Sequence, residues 1–80
     1  MSLSVMKFAI VMEEKLIENS HKTGWAHLSR KWILNRIKQE VKELEEAIEL
    51  GNKSFIIDEC ADVANFCMMM FDNLTTESEV

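Results

Sequence analysis

The chain has 80 residues, a net charge of −5 and 48% hydrophobic residues with no proline. That length allows one small domain, residues 1–80, whose core is marginal and usually helped by metal, disulfides or oligomerisation. The acidic balance argues against a nucleic-acid backbone as partner, and the apolar content excludes disorder.

Residues 3–19 carry Val5, Phe8, Ala9, Met12 and Leu16 at helical spacing, with Lys7, Glu14 and Glu18 opposite. The basic start, clean apolar run and small-residue cleavage site of a secretory leader are not visible there. Residues 19–24 cluster turn formers and read as a loop in which Gly24 is free to take positive φ. The second helix starts at Ser29, a good N-cap, and runs to Leu50 with Gly51 as its C′ residue. Its apolar stripe is Trp32, Ile33, Ile37, Val41, Leu44 and Ile48. Ser54 can cap a third helix that continues to about Asn73, and the polar, acidic tail 75–80 is expected to fray.

The third helix is apolar nearly all round, from Phe55 and Ile56 to Met70 and Phe71. Such a helix must be buried on several sides, which two partner helices in so short a chain cannot easily do. The expected architecture is all-α: a three-helix subunit completing a shared bundle in a homo-oligomer, dimer or tetramer. Cys60 and Cys67 share a helix face but lie too far apart to bond, which fits a reduced, cytoplasmic protein. The longest apolar run, 66–71, is too short to span a bilayer, so no membrane partner is expected.

Four carboxylates break the apolar pattern. Glu59 and Asp62 are three apart in the third helix, and Glu40 and Glu43 repeat that spacing in the second. Residues three apart share a helix face, so each pair points the same way. No Lys or Arg occurs from Ser54 to Val80, which leaves the second pair without a local counter-charge. Two carboxylates ~5 Å apart repel by roughly 3 kcal/mol at an effective dielectric of ~20. Bringing four together calls for a cation, and a hard, oxygen-loving ion such as Mg²⁺ is the natural choice. On its own, Glu40-x-x-Glu43 also reads as a solvated helix face, since Glu45, Glu46 and Glu49 follow it. Asp58 and Glu59 also suit the start of a helix through its dipole, whereas Asp62 lies too far in.

Other chemistries fit poorly. Two glycines cannot make a phosphate-cradling loop. A di-iron bundle needs two Glu-x-x-His elements, and only Glu18-x-x-His21 is present. The two His and two Cys lack zinc spacing.

Glu40-x-x-Glu43 followed by Glu59-x-x-Asp62, within Trp25…Trp32-Ile33-Leu34, Gln39-Glu40-Val41-Lys42-Glu43-Leu44-Glu45-Glu46-Ala47-Ile48 and Ile57-Asp58-Glu59-Cys60-Ala61-Asp62-Val63-Ala64-Asn65-Phe66, resembles the all-α nucleoside triphosphate pyrophosphohydrolases, the MazG-like superfamily. The similarity spans residues 25–73. Gln39 departs from it, standing where many members carry a further Glu.

The resemblance implies cleavage of a nucleoside triphosphate between its α and β phosphates, giving monophosphate and pyrophosphate, in a possible house-cleaning role. It implies Mg²⁺, with Mn²⁺ as a substitute, held by Glu40, Glu43, Glu59 and Asp62, which are also the catalytic residues. Candidate substrate-side groups are Arg36, one turn before Glu40; Lys53, in the loop before the third helix; and Lys22 and Lys31, flanking Trp25. Surface charge is the preferred reading of each. Trp25 is a candidate for stacking a base or a core anchor for its loop. Asn65 can bond ribose or base, or be a buried polar group satisfied by a neighbouring helix. The rival readings are a non-catalytic oligomerisation or regulatory bundle, and a phosphoribosyl-ATP pyrophosphohydrolase-like activity.

Overall fold

A computed structural model folds the chain into three helices, α1 (Leu3–Glu18), α2 (Arg30–Leu50) and α3 (Lys53–Glu77). The structure describes residues 1–19 and 25–77, and the expected loop 20–24, including Lys22, lies outside them. Local chemistry sets most of the helix ends. The Ser2 hydroxyl accepts from Val5 N–H at 3.2 Å, and the Ser29 hydroxyl accepts from Trp32 N–H at 3.1 Å. Each satisfies an amide that the first turn leaves without a helical partner. Gly51 ends α2 in the left-handed region at φ 69°, a conformation that costs about 1–2 kcal/mol for a residue with a Cβ.

α3 departs from expectation at both ends. It begins at Lys53, because the Asn52 carboxamide oxygen, not Ser54, accepts from Phe55 N–H at 3.1 Å. It continues past Asn73 through residues expected to fray, ending at Glu77. Two devices hold this extra turn. The Thr75 hydroxyl donates to Phe71 O and Asp72 O at 3.0 and 3.1 Å. The Asn73 amide donates to Ala26 O and Leu28 O at 3.0 Å and to Trp25 O at 3.3 Å.

α3 is the centre of the fold: α2 packs on it, α1 packs on it, and α1 makes no comparable contact with α2. Ile33, Phe66 and Met69 form the core, flanked by Leu16, Trp25, Leu28, Ile37, Met68 and Met70. The Trp32 and Phe66 rings meet edge to face, 6.4 Å between centroids, a preferred aromatic geometry. The α2 stripe is not quite the expected one. Its inward residues are Ile33, Ile37, Glu40, Leu44 and Ala47, whereas Trp32, Val41 and Ile48 are largely exposed. The 4-3-4-3 spacing of that row is a helix-packing seam, and it has a glutamate at its middle.

Burial of α1 and α3 within the chain is partial. Nothing on α1 is fully buried: Met12 and Leu16 are half-covered, but Val5, Phe8 and Ile10 are exposed. Phe55, Ile57 and Phe71 of α3 are exposed as well. No helix among the described residues is long and apolar enough to cross a membrane.

Candidate metal centre

The α2 seam brings Glu40 inward, 6% exposed, and Glu43 follows one turn later on the same side. From α3, Glu59 and Asp62 face them. All four line one cavity of about 380 Å³ together with Lys15, Leu16, Arg36, Asn65 and Met69. Carboxylate oxygens of Glu40, Glu43 and Glu59 come within 4.8 Å of one another. Asp62 lines the same cavity but lies outside that closest group. The expected convergence of two acidic pairs is therefore present in the geometry, with three members tight and one at the side.

Two cations reach the cluster. Arg36 donates to Glu40 Oε1 at 2.9 Å and to the Gln39 carboxamide oxygen, and its guanidinium lies 5.0 Å over the Phe66 ring. Gln39, the departure from the superfamily pattern, thus receives an arginine instead of adding a charge. Lys15, in the last turn of α1, places its ammonium 4.0 Å from Asp62 Oδ1. The carboxylates of α3 do have a counter-charge, supplied by another helix. Periodicity could have found Lys15, which lies one turn from the packing residue Met12.

Two cations do not neutralise four carboxylates. Burial, then contact with Glu43, pushes Glu40 up to about 8. Burial and the neighbouring Asp62 charge raise Glu59. Burial raises Asp62 too, against the opposing pull of Lys15. These shifts record the strain of holding negative charge together in a partly dry site. Glu40 Oε2 and Glu59 Oε2 are both buried and meet no N–H or hydroxyl donor among the described residues, only neighbouring carboxyl groups. Buried carboxylate oxygens normally have partners, and clustered, unsatisfied anionic oxygens match the donor set of Mg²⁺ or Mn²⁺. The residues fit a hard divalent ion.

The remaining candidates divide. Asn65 is 4% exposed and borders both the carboxylate cavity and an adjoining apolar one of about 590 Å³. Its amide donates to Met12 O at 3.0 Å, while its Oδ1 is buried without a partner. Trp25 lines the apolar cavity, not the acidic one, and its indole N–H donates to Asp72 at 2.8 Å. The ring therefore ties residue 25 to α3 and also forms a wall of that cavity. Lys53 and Lys31 are exposed and outside the carboxylate cavity. The structure does not bring Lys53 to the acidic residues, because it opens α3 one and a half turns before Glu59.

Residues 5–76 match the family described as phosphoribosyl-ATP pyrophosphohydrolase. The chain belongs to the phosphoribosyl-ATP pyrophosphohydrolase family. This family is part of the MazG-like all-α superfamily that the acidic motifs resemble, and its activity is of the pyrophosphohydrolase type. An uncharacterized protein of Archaeoglobus fulgidus is 32% identical over 77 residues, covering 90% of this chain and 83% of that relative. No solved structure matches.

Proposed function

We propose that the protein is a Mg²⁺-dependent nucleoside triphosphate pyrophosphohydrolase that converts ribo- or deoxyribonucleoside triphosphates to monophosphates and pyrophosphate. The observation that carries this reading is the pair of buried, unsatisfied oxygens, Glu40 Oε2 and Glu59 Oε2, within a carboxylate cluster. Glu40, Glu43 and Glu59, with Asp62 beside them, would hold the ion. A bound divalent ion supplies charge neutralisation at the phosphates and lowers the pKa of water.

The protein's own groups do the rest. A carboxylate of the cluster accepts the proton of the attacking water. Arg36, fixed by Glu40, Gln39 and Phe66, keeps a positive charge at the cavity wall. The adjoining apolar cavity has Met12, Leu16 and Trp25 as walls and Asn65 at its border, whose buried Oδ1 has no hydrogen-bond partner among the described residues. Those are the groups a flat, N–H-bearing base needs. We assign the exposed apolar residues of α1 and α3, including Phe8 and Phe71, to contacts with a second copy of the chain.

A second reading is favoured by the family match itself: the nucleotide is phosphoribosyl-ATP, whose triphosphate would be cleaved at the same bond. A panel of canonical nucleotides and phosphoribosyl-ATP, assayed with Mg²⁺ for pyrophosphate release, separates the two. Turnover of several canonical nucleotides supports the first reading. Turnover confined to phosphoribosyl-ATP supports the second, and none on any substrate returns the protein to a helical module.

A further inference from the structure

Lys15 belongs to no motif, yet it lines the acidic cavity together with the carboxylates of α2 and α3. Among the described helices, α1 packs on α3 and not on α2, so Lys15 is brought to the cavity by a third element. The two cations that line this cavity, Lys15 and Arg36, differ in how they are held. Arg36 is committed, with donors on Glu40 and Gln39 and its face on Phe66. Among the described residues, Lys15 reaches Asp62 at 4.0 Å, a distance beyond a hydrogen bond, and its charge also acts on Glu59. Its side chain is 16% exposed, it borders the cavity, and it has no acceptor within hydrogen-bond distance among the described residues. An ammonium so placed can donate to a phosphate oxygen that enters the cavity.

We propose that Lys15 is a phosphate-binding residue that leaves Asp62 to hold the leaving pyrophosphate of the substrate. The inference rests on the proposed function and adds a residue to it. Four carboxylates, one divalent ion, Arg36 and Lys15 sum to neutrality, so a polyanion meets no net repulsion; without Lys15 the site is negative. In the reaction, the oxygen of water bonds to the α-phosphorus while the bond from that phosphorus to the bridging oxygen breaks. The electron pair of the broken bond stays on the bridging oxygen, now part of pyrophosphate. The water proton passes to a carboxylate, and the Lys15 ammonium, keeping its own protons, balances the charge that develops on the leaving group.

The test is calorimetric titration of the whole chain with Mg²⁺ alone and with magnesium pyrophosphate. Lys15→Gln and Lys15→Met are expected to weaken magnesium pyrophosphate at least about tenfold, the weight of one charge-assisted hydrogen bond. Mg²⁺ alone should bind these variants as tightly as wild type or more tightly, and Lys15→Arg should keep most of the pyrophosphate affinity. A merely structural ion pair with Asp62 would lower the melting temperature without changing pyrophosphate affinity. That result, with wild-type binding intact, overturns the role of Lys15 and leaves the proposed function standing. Wild type that binds Mg²⁺ but not magnesium pyrophosphate overturns both.

Discussion

Arg36 donates to one carboxylate oxygen of Glu40 at 2.9 Å, while the other oxygen of Glu40 is buried and meets no N–H or hydroxyl donor among the described residues. A single charge on one side of a glutamate at the middle of a packing seam leaves the site half-satisfied, and the acid–base behaviour of the apo protein should follow from that.

Glu40, Glu59 and Asp62 all have folded-state pKa values raised chiefly by burial, Glu40 to about 8. A raised carboxylate favours the protonated fold, so its contribution is fully present below the unfolded value and lost as pH rises through the folded one. With chelator present, the melting temperature should therefore be higher near pH 5 than near pH 8.5. Thermal melts at the two pH values check this, and a higher melting temperature at pH 8.5 would be inconsistent with the burial of Glu40.

Metal should reverse that loss. A ligand of the folded state at a hundredfold excess over its Kd stabilises by about 2.7 kcal/mol, several degrees of melting temperature for a domain of this size. Because the carboxylates must be ionised to coordinate, the affinity for Mg²⁺ should strengthen as pH rises toward 8. Glu40→Gln and Glu59→Gln should abolish the shift with Mg²⁺ while leaving the apo protein as stable or slightly more so, since they relieve repulsion. An unchanged shift with Mg²⁺ in both variants would place the ion elsewhere.

The sequence shows some of this arrangement and hides the rest for definite reasons. Ser29 and Gly51 mark helix ends through chemistry confined to a few neighbouring residues, and both act in the structure as the sequence implies. Asn52 and Ser54 are both competent caps, and only the finished turn selects Asn52. The last turn of α3 depends on Asn73 bonding carbonyls more than forty residues away, which local propensity does not carry. Glu40 is disguised by Glu43, Glu45, Glu46 and Glu49 around it, although the row Ile33, Ile37, Glu40, Leu44, Ala47 identifies it as inward. Periodicity puts Lys15 on the same face of α1 as Met12, but that it meets Asp62 follows only once α1 is laid on α3.

Asn73 gives a test of the loop anchor. Asn73→Ala leaves the carbonyls of Trp25, Ala26 and Leu28 without their shared donor, at a cost of about 1–3 kcal/mol if they stay dry. Denaturant unfolding should show that loss, while Mg²⁺ binding at the carboxylates persists. Trp25→Phe, which removes the indole donor to Asp72 together with one ring of a side chain packed on the core, should cost at least about 0.5–1.5 kcal/mol.

Assembly is expected from the uncovered apolar residues of α1 and α3. Light scattering in dilute solution should report a dimer or tetramer, and Phe8→Glu should shift the population toward monomer. A well-folded wild-type monomer at micromolar concentration would refute the assignment of these faces to a second copy.

The central claim is that Glu40, Glu43, Glu59 and Asp62 act together as the metal-dependent centre of pyrophosphate release. The most direct measurement is that release, with Mg²⁺, by wild type, Glu43→Gln and Asp62→Asn, each checked for helical content. Turnover is expected to fall at least about a hundredfold in both variants, the upper range for losing even an indirect support of a metal site, with the fold retained. Folded variants that release pyrophosphate at the wild-type rate would contradict the assignment of the site.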